Sequence, residues 1–335
     1  MPEPVELIHV WHACHHCGAQ PIKGKRYECQ SCRSGPHKSL CETCYLGYRS
    51  GRVQHPHPRA SMEPDVRRHH VFQAFEGMPR ASAASWVQGS EATNVPPKFS
   101  DCFVLRPEFC CSGESFFGSY AFAIRAESGP AIVLTALHVL DEIIKWMELR
   151  GLVCDGSHLG TVLAAAINKV VLYDVFASPW MTAELGSART TLVFPGSYLG
   201  AEEPYVQGDV AGFLMNDAPT GVTPAMLACH KPDVGETIWL VANAQQPRRQ
   251  PAASAVVVEA TNETFVFRFS MREASLPLYT SGAPLVDRWG QVVGLNVGMG
   301  KVDGVCLGHG VHAGSIRRHL GVVGLTALSA TPGVS

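Results

Sequence analysis

The sequence has no excess of charge of either sign and no long apolar run. Its 27 basic and 29 acidic residues give a formal net charge of -2, without the basic surplus typical of nucleic-acid-binding domains. No stretch reaches the roughly 18 consecutive apolar residues of a membrane-spanning helix, and the N-terminus lacks the basic and apolar regions of a secretory signal. We therefore expect no nucleic-acid partner, no membrane span and a cytoplasmic location.

Cysteine, in contrast, is abundant and unevenly distributed. Six of the 12 cysteines form three Cys-x2-Cys pairs near the N-terminus, and a His-x-His pair follows them. Each pair can direct two ligands at one tetrahedral ion, so four pairs supply the ligands of two zinc ions, which would stabilise a segment too short for a large apolar core. The pattern predicts two structural Zn²⁺ ions. The predicted ligands are Cys14, Cys17, Cys29, Cys32, Cys41, Cys44, His55 and His57.

The residues around these ligands resemble those of a known zinc-finger family. "CHHCGAQPIKGKRYECQSC", followed by "LCETCYLG" and the closing His pair, resembles the ZZ-type zinc finger. That family is cross-braced, which implies one zinc on Cys14, Cys17, Cys41 and Cys44 and the other on Cys29, Cys32, His55 and His57. ZZ fingers are protein-interaction modules, so the resemblance implies a protein partner, either a substrate or a regulator.

The remainder of the chain reads as a linker followed by a β-rich domain. Residues 61–100 mix charge with Ala, Ser, Gly and Pro and show no sustained period. From residue 101 onward, short apolar runs alternate with turn residues, which predicts a barrel or sandwich, and only 138–151 and 313–321 read as helices. The predicted organisation is a finger at 1–62, a linker at 63–100, a β domain at 101–323 and a C-terminal tail at 324–335.

Ser281, in "PLYTSGAPLVDRWGQVVGLNVG", is a candidate nucleophile in a turn ahead of a hairpin. A serine hydroxyl needs a base to accept its proton and an acid to orient that base. His138 follows an apolar strand in "PAIVLTALHVLDE", where a lone histidine can also be structural. The sequence offers two acids, Asp209 in "GDVAGFLMNDAP" and Asp174 in "VVLYDVFAS".

These segments occur in the order found in trypsin-like serine proteases. "TALHVL" resembles the family's base segment, "GDVAGFLM" its acid segment and "SGAPLVDRWGQVVGLNVG" its nucleophile segment. The resemblance implies a chymotrypsin-like double β-barrel and a triad of His138, Asp209 and Ser281, with Asp209 preferred over Asp174. It also implies an oxyanion hole formed by the backbone N–H groups of Tyr279 and Ser281. Ser275 lies six residues before Ser281, where trypsin carries an acid, so we expect a neutral or apolar residue before the scissile bond.

Two hypotheses for function follow. The first is an intracellular serine endopeptidase whose finger recruits a protein substrate or regulator, with a regulated role in a prokaryotic defence pathway as an extension suggested by similar modules. The alternative is a pseudoprotease that acts as a binding scaffold, because Tyr279 stands where the family usually has glycine. Zinc-dependent hydrolysis is disfavoured, since the predicted zinc sites are closed and no HExxH helix occurs.

Overall fold

The computed structural model divides the chain into two compact units. One comprises Met1–Gly89 and Met299–Leu307, and the other comprises Ser90–Gly298 and Gly308–Ser335. The structure describes residues 5–29, 39–54, 70–88, 97, 104–152, 159–175, 184–193, 209–215, 222–242, 252–270, 279–322, 324–325, 327 and 329–330.

The first unit contains two small antiparallel sheets and two helices. One sheet has the strand order β2-β1-β6 and the other has the order β4-β3-β5. The elements are β1 (Leu7–His9), β2 (Ile22–Lys23), β3 (Arg26–Cys29), β4 (Ser39–Cys41), α1 (Glu42–Arg49), β5 (Phe72–Phe75), β6 (Met78–Pro79) and α2 (Arg80–Ala84), the last followed by a 3₁₀ turn at Ser85–Val87.

The segment predicted as a linker supplies part of this unit. Strand β5 pairs with β3 over four residues, and β6 pairs with β1. Phe72 of β5 packs against the aromatic rings of Tyr45 and Tyr48, with ring centroids 5.3 and 5.1 Å apart. These strands are only two to four residues long, so their periodicity is too short to detect before their partners are known.

The second unit begins with a closed barrel of six strands. Its order is β7-β11-β12-β13-β10-β9, and β9 pairs back onto β7. Strand β8 extends β7 at the edge, and helix α3 buries Ile143, Ile144 and Met147 in the barrel's core cluster. The elements are β7 (Val104–Cys111), β8 (Glu114–Phe117), β9 (Ala121–Ile124), β10 (Ile132–Thr135), α3 (Asp141–Leu149), α4 (Leu159–Ala166), β11 (Lys169–Asp174), β12 (Glu184–Val193) and β13 (Ala211–Met215).

A second closed barrel of six strands follows. Its order is β18-β15-β16-β17-β20-β19, and β19 closes the barrel onto β18. The elements are β14 (Leu227–Ala228), β15 (Thr237–Val241), β16 (Ala252–Ala260), β17 (Thr264–Phe269), β18 (Pro284–Val286), β19 (Val292–Val302), β20 (Val305–His312), α5 (Ala313–Val322) and β21 (Ser329–Ala330). Two closed barrels confirm the predicted mainly β, chymotrypsin-like double β-barrel.

The helices differ from expectation in one respect. The predicted helix at 138–151 begins as a 3₁₀ turn, Leu137–Leu140, and continues as α3, while the one at 313–321 corresponds to α5. Helix α4 was not expected, because "LGTVLAAA" has no polar face to mark a helical period. No helix in the described part of the chain combines the length and apolar character needed to cross a membrane.

Candidate active site and metal centre

His138 and Asp209 lie in direct contact although 71 residues separate them in the chain. His138 follows β10 in the 3₁₀ turn, and Asp209 precedes β13, which pairs with β10. The His138 ring Nδ1 lies 2.7 Å from Asp209 Oδ2, and the His138 backbone N–H donates to Oδ1 at 2.9 Å. Both carboxylate oxygens therefore contact the same histidine. This fixes the ring orientation, and Nε2 is the ring nitrogen that does not contact Asp209.

The electrostatics of the pair favour a protonated imidazole. Burial by itself lowers the pKa of His138, but the negative charge of Asp209 and its hydrogen bond outweigh burial and raise that pKa to about 9. The Asp209 side chain is 9% exposed and that of His138 is 30% exposed, so water screens the pair only in part. The arrangement stabilises an imidazolium, the state that a general base reaches after accepting a proton.

Ser281 lies in the turn that precedes β18, and this turn is attached to the first barrel. The Tyr120 N–H donates to the Ser281 carbonyl at 3.2 Å, and the Thr135 hydroxyl donates to the Tyr120 carbonyl at 2.6 Å. Thr135 is the last residue of β10, three positions before His138. The strand that leads to the histidine therefore also holds the turn that carries the serine.

Gly282 allows this close approach. Its φ is +87°, and a Cβ placed there would lie 2.1 Å from the Tyr120 carbonyl oxygen and 2.5 Å from the Thr135 hydroxyl. No side chain fits at that distance, and L-residues avoid that backbone region. Gly282 is thus a packing requirement of the turn that carries Ser281.

Tyr279 adopts a backbone conformation that normally requires glycine. Its φ is +57° and its side chain is 84% exposed, which for a bulky residue is an outlier of the kind that clusters at functional sites. Tyr279 therefore has a left-handed backbone conformation that suits glycine better than tyrosine. Because its ring is exposed, the cost is backbone strain and not a steric clash of the side chain.

Two residues near the site were not identified from the sequence. The Asn296 side-chain amide donates to the carbonyl and the hydroxyl of Thr280 at 3.0 and 3.1 Å, and its backbone carbonyl accepts from the Gly282 N–H at 2.8 Å. His309 is close enough to Asp209 for the aspartate's charge to oppose the lowering of the pKa of His309 by burial. Neither residue has a local sequence signal, since both lie within strands.

Asp174 is a predicted position that does not contact His138 in the structure. Asp174, the competing acid, ends β11, where it pairs in register with Leu105, and it is Asp209 that contacts His138. Ser275, six residues before Ser281 and the basis for expecting a neutral or apolar residue before the scissile bond, lies outside the described residues.

In the first unit, four cysteines converge. Ligand sulfurs of Cys14, Cys17, Cys41 and Cys44 all lie within 4.8 Å of one another. Cys17 Sγ and Cys41 Sγ are 3.9 Å apart, close to the roughly 3.8 Å that a tetrahedron with Zn–S bonds of about 2.3 Å requires. Four thiolates in this arrangement fit a structural zinc ion, which would crosslink the loop after β1 to the start of α1.

The second predicted ligand set is only partly described. Cys32, His55 and His57 lie outside the described residues. Cys29 is buried, and its Sγ lies 3.1 Å from Nδ1 of His70, a histidine that the sequence reasoning placed in the linker. The second zinc ion therefore remains a prediction.

The comparisons with known proteins find structural neighbours only. No protein-family model matches the chain, and no curated protein matches it. The Rv3671c protease from M. tuberculosis in its active form is 16% identical, with a TM-score of 0.40, over 72% of this chain and 94% of that one. The scabies mite inactivated protease paralogue S-I1 is 13% identical, with a TM-score of 0.41, over 69% and 99%. Deg5 is 13% identical, with a TM-score of 0.38, over 65% and 87%.

These likenesses are too weak to carry an argument about function. The fold is established by the chain's own architecture, two closed six-stranded barrels arranged as a chymotrypsin-like double β-barrel.

Proposed function

We propose that this protein is a serine endopeptidase in which Ser281 is the nucleophile, His138 the general base and Asp209 the residue that orients the base. The observation that carries the proposal is the double contact of Asp209 with the ring and backbone of His138. A buried carboxylate that contacts the histidine ring with one oxygen and accepts from the backbone N–H of the same residue with the other orients the imidazole as general-base activation of a serine needs.

The proposed reaction has two stages. His138 Nε2 accepts the Ser281 proton as Oγ attacks the carbonyl carbon, and the resulting imidazolium then donates that proton to the leaving amine. Water hydrolyses the acyl-enzyme by the same route in reverse. The N–H groups of Tyr279 and Ser281 stabilise the oxyanion, and loss of one such donor typically slows acyl transfer about 10²–10³-fold.

The N-terminal unit has a separate role in this proposal. We assign it two structural zinc ions, one on Cys14, Cys17, Cys41 and Cys44, and a function in recruiting a protein substrate or regulator. The converging sulfurs support the first zinc ion. Tethering a substrate raises its effective concentration at the catalytic unit, so a weak finger contact suffices for selection.

The setting that we propose is the cytoplasm. Twelve cysteines and thiol zinc ligands suit a reducing compartment. Within it, a regulated role in a prokaryotic defence pathway, in which the protease cleaves a partner protein, is the extension to test after activity is established.

The alternative function is a pseudoprotease that acts as a binding scaffold, and Tyr279 is the observation that favours it. An L-residue with a φ of +57° strains the turn that must present the oxyanion-hole N–H group. The two functions differ in whether Ser281 is activated.

Labelling with a fluorophosphonate probe tests the proposal. Wild type should acquire the probe, Ser281→Ala should not, and Ser128→Ala, which removes an exposed serine from a turn, should be labelled like wild type. A zinc-loaded, folded wild type that stays unlabelled, with and without added protein partners, would overturn the endopeptidase proposal and support the scaffold.

A further inference from the structure

A buried side chain of the second barrel holds the residue that precedes the proposed nucleophile. Asn296 lies in β19 and is 1% exposed, and its side-chain amide donates to the carbonyl and the hydroxyl of Thr280 at 3.0 and 3.1 Å. Because a carbonyl only accepts hydrogen bonds, the group that faces it is the NH₂ group of Asn296. Thr280 is 2% exposed, so the contact is shielded from water, where a hydrogen bond is stronger.

The backbone of Asn296 contacts the other side of the same turn. Its carbonyl accepts from the Gly282 N–H at 2.8 Å, and its N–H donates to the Ala283 carbonyl at 2.9 Å. Asn296 thus anchors the chain both before and after Ser281. Any residue in this strand can make the two backbone bonds, but the contact with Thr280 requires a side-chain donor, so it depends on the identity of residue 296.

The Thr280 carbonyl and the Ser281 N–H belong to the same trans peptide. A trans peptide is planar, so its carbonyl and its N–H point in opposite directions, and fixing the carbonyl also fixes the direction of the N–H. The Ala283 N–H donates to the same carbonyl at 3.0 Å, so this oxygen accepts two hydrogen bonds. Two donors at the carbonyl also polarise the peptide, which makes its N–H a stronger donor.

The direction of this N–H matters for the proposed reaction, in which the Ser281 N–H is one of the two donors to the oxyanion. An oxyanion donor is most effective when its direction is fixed before the charge develops, because no reorientation is then needed in the transition state. We propose that Asn296 is a positioning residue that directs the Ser281 N–H at the oxyanion by holding the Thr280 carbonyl. This inference rests on the proposed role of Ser281 as the nucleophile.

Asn296→Val tests this role by the kinetics of fluorophosphonate labelling. Valine suits a strand and keeps the backbone bonds, and the Thr280 carbonyl retains the Ala283 N–H, so this buried acceptor is not left unpaired. The saturating labelling rate should fall about 10- to 100-fold, less than the 10²–10³-fold loss of a whole donor. The probe concentration at half saturation should stay within about threefold, because the contact acts on the transition state and not on probe binding.

A second readout does not depend on catalysis. In the ¹⁵N–¹H NMR spectrum of the full-length, zinc-loaded protein, the Ser281 amide signal should move upfield in Asn296→Val, because its peptide loses a hydrogen bond at the carbonyl and is less polarised. Asn296→Ala should give the same shift, which keeps the test valid if valine does not fit. The Gly290 amide, which donates to the Asp287 carbonyl in the next turn, should keep its position and verify that each variant is folded.

Matched variants identify the contact that matters. Gln291→Leu removes an amide from the residue just before β19 and should leave both readouts unchanged. Thr280→Val removes the hydroxyl contact but keeps the carbonyl, and should slow labelling less than Asn296→Val does. Equal slowing in these two variants, a change in half-saturation alone, or a Ser281 signal that stays in place would overturn the proposal. A wild type that is not labelled would overturn the endopeptidase function instead, and the Ser281 signal would still decide whether Asn296 directs this peptide.

Discussion

Replacing Asp209 with asparagine should lower the pKa of His138 and slow the acylation of Ser281. In the wild type the aspartate's charge and hydrogen bond raise the pKa from 6.5 to about 9 against the opposing effect of burial. One pKa unit corresponds to about 1.4 kcal/mol, so this rise represents roughly 3 kcal/mol of preference for the protonated ring. In Asp209→Asn burial remains and the charge is lost, so the pKa should fall below 6.5.

The rate should fall for a second reason. An asparagine amide can donate to Nδ1, which would place the ring proton on Nε2 and remove the acceptor for the serine proton. A loss of about 10³–10⁴-fold in acylation is expected when the wrong tautomer is held. The measurement is the rate of fluorophosphonate labelling as a function of pH. The wild-type rate should rise with pH through about 9, because only the neutral imidazole accepts a proton.

The contribution of the His138–Asp209 pair to folding stability should decrease as the pH rises, whereas the labelling rate should increase. A histidine whose pKa is raised on folding contributes its full stabilisation below its unfolded-state pKa, and this contribution is lost as the pH rises through the folded-state value. Thermal unfolding should therefore show that Asp209→Asn is most destabilised relative to wild type below about pH 6.5 and least destabilised above about pH 9.

Asp141→Asn is the matched control for this prediction. Asp141 also raises the pKa of His138, but its effect is the smallest of the causes and acts through its charge alone. Its substitution should change the labelling rate by less than about tenfold. Labelling of Asp209→Asn at a rate within about tenfold of Asp141→Asn would refute the role assigned to Asp209.

Three further predictions concern the turn and the metal centre. Gly282→Ala should lower the free energy of unfolding by about 3 kcal/mol or more and abolish labelling. Gly129 also has a positive φ, but nothing lies within 4 Å of its Cβ position, so Gly129→Ala should lower that free energy by only about 1 kcal/mol in thermal unfolding. Equal losses would show that the contact with Tyr120 is unimportant. Tyr279→Gly should keep or increase labelling and raise the free energy of unfolding by up to about 1 kcal/mol. Tyr279→Ala retains the backbone strain and should increase neither labelling nor stability. Loss of labelling in the glycine variant would contradict the strain argument. Metal analysis should find fewer bound zinc ions in Cys17→Ser than in the wild type. Cys229→Ser removes an exposed cysteine outside the cluster and should bind as many zinc ions as the wild type. Equal zinc contents in all three proteins would refute the Cys₄ site.

Local patterns in the sequence were sufficient for the strands and for the cysteine ligands. Short apolar runs bounded by turn residues predicted strands such as β10, β13 and β15, because a run of four or five apolar residues between turn signals is recognisable locally. Cys-x2-Cys spacing predicted a cluster because a knuckle directs two sulfurs at one ion. Short or Gly-containing strands such as β6 and β20 went undetected, since their stability comes from their partners.

The sequence by itself determined which residues could act as nucleophile, base, acid and metal ligand, because those chemistries are limited to a few side chains. The tertiary structure alone decided which of them meet. Asp209 rather than Asp174 reaches His138 because β13, not β11, pairs with β10. Gly282 is required because the Tyr120 carbonyl and the Thr135 side chain of the first barrel approach its backbone. Such contacts join residues far apart in the chain, and strand pairing together with packing of the Ser281 turn against the first barrel, which no local period encodes, brings them together.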